Sequence, residues 1–94
     1  MTGTARSSAG LDERRRRLLY RSWHRGTREM DLIMGRFADA TIHDLNETEI
    51  AELEQLADVP DPELFAWLTG DKVPDDYDLA VYRRLRDFHL RKMG

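Results

Sequence analysis

Apolar residues recur along this chain at helical spacing, in segments separated by short polar stretches that contain glycine or proline. The clearest apolar stripe has members three or four positions apart, at Met30, Ile33, Met34, Phe37 and Thr41. No segment shows the strict alternation of a half-buried strand. The pattern therefore predicts an all-α protein, a small five-helix bundle.

Residues that favour helix termini set the expected boundaries. Asn46 and Glu49 have the spacing of a capping box. Asp61 is predicted to be an N-cap, because Pro62 after it suits the first helical position. Gly26 is predicted to end the first helix. The first two helices are expected over about residues 11–23 and from 27 or 28 to 41. The third is expected to start after Asn46, the fourth to lie between Asp61 and Gly70, and the fifth to begin at 75 or 76.

One glycine lies inside a predicted helix. Gly35 falls in the middle of the second apolar segment. A glycine there costs up to about 1 kcal/mol against alanine, so a packing reason is expected. We interpret Gly35 as a point where a neighbouring helix packs closely, in preference to a kink.

Length and composition exclude several classes of protein. A chain of 94 residues forms one domain, and we assign the polar residues 1–10 to a disordered tail and residues 11–94 to the helical domain. No apolar run approaches the ~20 residues of a membrane span, so no direct membrane insertion is expected. The absence of cysteine excludes disulfides, thiolate metal sites and cysteine nucleophiles.

The charge is divided unevenly along the chain. Residues 1–36 carry a net charge of +5 and residues 37–94 carry −8. Either the basic part steers a polar partner, or the two parts neutralise each other within the fold. The run of arginines at 14–17 also allows an alternative function, a small nucleic-acid-binding regulator that uses its basic first helix. The acidic sequence pI of about 5.6 argues against it.

No motif of catalysis, phosphate binding or metal binding is present. The histidines, His24, His43 and His89, lie far apart in sequence and form no metal-ligand pair. Spacing alone does not exclude a Ser-His-Asp triad, but nothing in the sequence points to one, and we predict no catalytic, cofactor-binding or metal-binding residue. A small enzyme with its own site is the competing class.

The densest polar cluster lies between the first two predicted helices. Arg25 and Arg28 carry planar groups suited to carboxylates or phosphates, and Gly26 allows the chain to turn. If Gly26 is an N-cap, Glu29 stands at the third helical position and completes half of a capping box. Local capping and partner binding both explain this cluster, and spacing alone leaves the two interpretations open.

Two blocks of the sequence resemble a known family. The segment RLLYRSWHRGTREMDLIMGRFAD and the later segment DPELFAWL are similar to the succinate dehydrogenase flavinylation factors, the SdhE family and its mitochondrial assembly-factor relatives. The family signature R-G-x-x-E falls on Arg25, Gly26 and Glu29, and the resemblance covers about residues 11–92.

The resemblance implies a five-helix assembly factor that is not itself a catalyst. Such factors bind the flavoprotein subunit of succinate dehydrogenase and, in some bacteria, that of fumarate reductase. They promote covalent attachment of FAD to this client, and we expect no FAD to be bound stably by the factor itself. The expected location is the bacterial cytoplasm, or the mitochondrial matrix for a processed eukaryotic form.

The resemblance also assigns the partner-binding residues. The motif residues are implied to meet the flavoprotein, with their neighbours on the same turn and on the preceding helix as weaker candidates. In that order the predicted interface residues are Arg25, Gly26 and Glu29, then Arg28 and Asp31, and then Arg21 and Arg17.

Overall fold

A computed structural model describes residues 10–93, and these form an all-α fold. The helices are α1 Glu13–Trp23, α2 Arg28–Thr41, α3 Glu47–Ala57, α4 Asp61–Leu68 and α5 Ala80–Met93, with a 3-10 turn at Asp75–Tyr77 before α5. The described range contains no strand, which confirms the predicted fold class. The disordered tail predicted for residues 1–10 falls, except for Gly10, outside the described range.

Side-chain caps fix the start of the first three helices. Asp12 caps α1, Thr27 caps α2, and Asn46 caps α3. Asn46 and Glu49 form the reciprocal bonds of a capping box, both at 2.8 Å, as predicted. These three caps satisfy backbone N–H groups that have no partner within their own helix.

The predicted starts of the last two helices are wrong. Pro60 is the N-cap of α4, and Asp61 is already its first residue. Asp75 and its neighbours form the 3-10 turn, so α5 begins at Ala80 instead of residue 75 or 76. The N–H of Val81 donates to a carboxylate oxygen of Glu52 on α3, at 3.0 Å. A side chain from another helix therefore accepts a hydrogen bond from a backbone N–H at the start of α5.

One core joins four of the helices. α1 packs against α2 and α3, and α5 packs against the same two helices. The side chains of Leu19, Met34, Leu53 and Leu85, one from each of these helices, are completely buried. Fully burying such a side chain contributes about 1.5–3 kcal/mol, so this core supplies most of the stabilisation of the fold.

The close packing predicted at Gly35 is confirmed. A Cβ atom built on Gly35 would overlap three atoms of the Trp23 indole ring, the farthest of them at 2.7 Å. The indole of α1 therefore lies directly on the backbone of α2. Glycine is needed here because any side chain would collide with the ring.

The two oppositely charged parts of the chain pair with each other. Arg14 contacts Glu47 at 2.8 Å and Glu54 at 2.7 Å, which ties α1 to α3. Arg21 pairs with Asp58 at 2.5 Å, at the other end of α3. The interpretation that the charges neutralise each other within the fold therefore accounts for much of the basic first helix. No helix in the described range is long and apolar enough to cross a membrane.

Candidate partner-binding site

The R-G-x-x-E motif lies where two turns of the chain meet. One turn, residues 24–27, joins α1 to α2, and the other, residues 58–60, joins α3 to α4. We call these turns, together with Asp61 and Pro62, the Arg25 corner. It brings the two sequence blocks of the resemblance into contact through Arg25 and Asp61, which are 36 positions apart.

Arg25 holds this corner together from the inside. Its Nε donates to Asp61 Oδ1 at 2.8 Å, and its Nη2 lies 2.7 Å from the same oxygen. Only 6% of the Arg25 side chain and 14% of that of Asp61 are exposed. The guanidinium is therefore engaged inside the fold, where its bonds to Asp61 connect the two turns.

The same guanidinium also completes the end of α3. Its Nη1 donates to the carbonyl of Ala57, and its Nη2 donates to the carbonyl of Val59 at 2.5 Å. The last carbonyls of a helix have no partner within the helix, so Arg25 satisfies groups that would otherwise be unpaired. One side chain thus fixes the α3–α4 turn to the α1–α2 turn.

The backbone of the motif turn is fixed as well. The N–H of Arg25 donates to the Asp31 carboxylate, so Asp31 also acts within the fold. Gly26 has a φ of +118°, a left-handed conformation that strains any residue with a side chain. A Cβ there would meet only Asp61 Oδ2, at 3.8 Å, so φ and not crowding within this chain requires glycine.

The capping interpretation of the motif is wrong in its details. Thr27, not Gly26, is the N-cap of α2, and its hydroxyl accepts from the N–H of Met30 at 3.3 Å. Glu29 is consequently the second residue of the helix and not the third. It forms no capping box, so its carboxylate does not bond to the backbone at the start of α2.

Arg28 and Glu29 are displayed at the surface. Both side chains are exposed, and neither has a hydrogen bond or ion pair with another residue in the described range. Glu29 borders a cleft of about 230 Å³ that is also lined by Met30, Pro62 and Phe65. A partner can therefore reach a carboxylate, a guanidinium and apolar surface at one place.

The weaker candidates on α1 are only partly committed to internal pairs. Arg21, 40% exposed, has the pair with Asp58 described above. Arg17 pairs with Glu13 one turn earlier, at 2.7 Å, and both side chains are largely exposed. Exposed pairs of this kind contribute little to stability, so a partner can compete for either arginine.

An aromatic pair at the end of α1 was not singled out from the sequence. Tyr20 is 60% exposed, and its ring stacks on that of His24 at 3.9 Å. His24 Nδ1 lies 2.7 Å from the Tyr20 carbonyl, which only accepts, so the proton is on Nδ1. The pair adds exposed aromatic surface immediately before Arg25. Exposed tyrosine beside arginine is a common feature of protein interfaces.

Asp61 is the other residue whose role the sequence did not reveal. The pattern Asp61-Pro62 pointed to a helix cap, and the carboxylate is instead used by Arg25. The only available signal was that both residues lie in blocks carrying the family resemblance.

The arginine run on α1 is largely engaged within the protein. Beyond the pairs of Arg14 and Arg17, Arg15 contacts the Leu45 carbonyl at 2.7 Å, and Arg16 contacts the Leu11 carbonyl at 2.5 Å. Because Arg14, Arg15 and Arg17 are also paired with acids, few unpaired charges are left for phosphates, which argues against the nucleic-acid alternative. No group of three potential metal ligands occurs among the described residues.

Comparison with known proteins gives a consistent result. Residues 16–89 match the family model described as flavinator of succinate dehydrogenase. The chain is 37% identical over 86 residues to the FAD assembly factor SdhE of Acetobacter pasteurianus, covering 89% of this chain and 79% of that protein. No solved structure gives a significant match.

Mitochondrial proteins are also similar. Succinate dehydrogenase assembly factor 2 of Dictyostelium discoideum is 36% identical over 74 residues, which cover 78% of this chain and 52% of that protein. The corresponding 2-B protein of Drosophila ananassae is 35% identical over 85 residues, which cover 87% and 52%. This chain thus spans about half the length of these mitochondrial relatives.

The family model and the similarity to SdhE identify this small helical protein as an assembly factor of the flavinylation class. The family match extends over most of the described domain. The chain therefore belongs to the family of succinate dehydrogenase flavinators, and the family resemblance found in the sequence is confirmed. The nucleic-acid alternative is not favoured.

Proposed function

We propose that this protein binds the flavoprotein subunit of succinate dehydrogenase and promotes covalent attachment of FAD to it. The family membership supports the activity, and the Arg25 corner supports the location of the contact. The observation that supports a contact at this place is the exposure of Glu29 beside a rigid turn. Its carboxylate has no partner among the described residues.

On this proposal the motif residues divide into two groups. Glu29 and Arg28 touch the flavoprotein, with Arg21 and Arg17 farther along the same side. Arg25, Gly26 and Asp31 hold the turn that presents them. Keeping the turn rigid before binding lowers the entropy lost on association, because fewer groups are ordered when the partner arrives.

The proposed mechanism is selection of a client conformation. Covalent attachment requires a histidine of the client to be aligned with the flavin ring. A factor that binds the aligned state better will increase its population. A preference of about 1.4 kcal/mol changes that population roughly tenfold. The factor then needs no catalytic group, and FAD remains bound to the client and not to this domain.

The flavoprotein subunit of fumarate reductase is the second client that the resemblance suggests. Its flavinylation would use the same contacts. The factor would act where its client acquires FAD, which is the bacterial cytoplasm or the mitochondrial matrix.

The test is covalent FAD in the client, measured as flavin fluorescence of the denatured flavoprotein band. Wild type, Glu29→Ala and Glu47→Ala are compared. Glu47 is a matched control, because it is an exposed glutamate in the first turn of α3. Its partners Arg14 and Arg15 keep their pairs with Glu54 and Asp12. We expect Glu29→Ala to reduce the rate of flavinylation about tenfold or more, and Glu47→Ala to leave it unchanged.

Equal activity of all three proteins would show that the client does not contact Glu29. No increase in covalent FAD with wild type would overturn the proposed activity for this client. The competing classes are tested separately. Stoichiometric flavin bound to the isolated protein would favour an enzyme or FAD transferase. Salt-sensitive retardation of DNA or RNA, lost on neutralising the arginines at 14–17, would favour a nucleic-acid regulator.

A further inference from the structure

A second groove lies at the opposite end of α4 from the Arg25 corner. It has a volume of about 640 Å³ and lies between the loop after α4 and one side of α5. Its floor is mainly apolar, with Trp67, Leu68, Val73, Tyr82 and Leu90 among the lining residues. We call it the α4–α5 groove. Its open side suits an extended chain better than an enclosed small molecule.

A buried polar side chain without a described partner lines this groove. His89 is only 9% exposed and makes no hydrogen bond or ion pair with any residue in the described range. Its ring nitrogens are not fully buried, so a group in the groove can reach them. An imidazole N–H donates readily to a carboxylate, so His89 suits an acidic group that enters the groove.

The arginines of α5 differ in how closely they are paired with acids. Arg83 and Arg84, which do not line it, have firm pairs with Asp78 at 2.9 Å and with Glu49 at 3.1 Å. Arg86 does line it, and its nearest ion pair is a distant one to Asp87, at 3.9 Å.

Lysine contributes a second cation at the rim of the groove. Lys72 is exposed and has no ion pair among the described residues, and Asp71 is the one acid in the lining. The groove therefore combines an apolar floor with two available cations and a buried imidazole. This occurs in the part of the chain, residues 37–94, whose net charge is −8.

We propose that the α4–α5 groove binds an extended acidic segment of a protein partner, with an apolar side chain next to a carboxylate. The apolar side chain would cover the floor between Trp67 and Leu90. The carboxylate would accept hydrogen bonds from Arg86, Lys72 and His89. This site is separate from the Arg25 corner, so it would give the protein a second point of attachment.

The experiment uses the full chain labelled with ¹⁵N and a capped pentapeptide of alternating aspartate and leucine. Amide shifts are followed at Gly70, Val73 and Leu90 during titration. A peptide with lysine in place of aspartate is the charge control. We expect saturable shifts with the acidic peptide, and binding of the lysine peptide at least tenfold weaker.

Two arginine variants separate the groove from the general charge of α5. Arg86→Gln is expected to weaken binding of the acidic peptide about tenfold, because one charge-assisted contact is lost. Arg83→Gln changes the net charge equally but lies outside the groove, and it is expected to weaken binding less than twofold.

Four results would overturn the proposal. The acidic peptide could cause no shifts in the groove, or the lysine peptide could bind equally well. The two arginine variants could lose the same affinity. The same shifts could also appear on raising the concentration of this protein alone, which would identify a second copy as the occupant. None of these results bears on flavinylation through the Arg25 corner, which the fluorescence assay tests independently.

Discussion

Removing one partner of the ion pair between Arg25 and Asp61 should cost more stability than removing one partner of any other charge pair in the described range. Both side chains are nearly buried, with 6% and 14% exposed, whereas the Arg17–Glu13 pair has 66% and 77% exposed. Removing one partner of a buried pair typically costs 3–5 kcal/mol, because it leaves an uncompensated charge. Exposed pairs contribute at most about 1 kcal/mol.

The structure places Asp61→Ala at the lower end of that range. Arg25 would keep its bonds to the carbonyls of Ala57 and Val59, so its charge would remain partly solvated by dipoles. We expect a loss of about 3 kcal/mol, which corresponds to a fall in Tm of roughly 12–24 °C for a domain of this size. Since such domains have about 5–15 kcal/mol in total, the variant should still fold at low temperature.

The assay is a double-mutant cycle in urea. Arg25→Ala, Asp61→Ala and the double variant are unfolded at equilibrium, and the coupling free energy is calculated from the four proteins. We expect a coupling of about 2 kcal/mol for this pair. The same cycle on Arg17 and Glu13 is the control, with an expected coupling below about 0.5 kcal/mol.

A coupling at the Arg25 corner no larger than that of the exposed pair would refute the reasoning. It would mean that the two turns are held by the core alone. An m-value that differs strongly among the four proteins would also remove the basis of the comparison, because the denatured states would then differ.

Three further predictions concern the core and the pH dependence of stability. Gly35→Ala should lower stability by about 1–3 kcal/mol in thermal unfolding, because the new methyl group collides with the Trp23 indole, and an unchanged Tm would contradict this packing. The hydrogen bond from Arg14 holds the pKa of Glu54 below its ordinary value of 4.5, so its stabilisation is present above that pH and is lost as the pH falls through the folded-state pKa. Glu54→Gln should therefore make Tm less sensitive to pH between about 6 and 3, and a curve parallel to wild type would exclude the effect. Burial raises the pKa of Tyr82 above 10.0, so stability is complete below that pH and falls above it. Tyr82→Phe should reduce this alkaline loss in urea unfolding, and an identical alkaline loss would assign it to other groups.

The fold was predictable because its signals are local and repeated. The stripe from Met30 to Thr41, the Asn46 capping box and the close packing at Gly35 all follow from short-range spacing. These features need no knowledge of what lies across the molecule. The family resemblance then supplied the function, which spacing alone could not provide.

Two of the errors have the same physical cause, which is competition from distant residues. Asp61 fits the N-cap rule, but Arg25, 36 positions earlier, binds its carboxylate and the helix starts one residue sooner. The acids after Pro74 fit the same rule, but Glu52 on α3 receives the N–H of Val81 and α5 begins later. Tertiary bonds to partly buried groups outweigh local capping, and no local pattern reveals them.

The same competition changes how the family motif should be interpreted. A signature such as R-G-x-x-E selects residues that are needed, without distinguishing those that build the turn from those that touch the client. Loss of flavinylation in an Arg25 variant would therefore not show that Arg25 contacts the flavoprotein. The two roles are separated when stability is measured beside activity. Glu29→Ala should reduce flavinylation with a free energy of unfolding within about 0.5 kcal/mol of wild type, because its side chain has no described internal partner. Arg25→Ala should reduce both the flavinylation rate and the free energy of unfolding. An Arg25 variant that lost activity but kept full stability would show that the guanidinium contacts the flavoprotein.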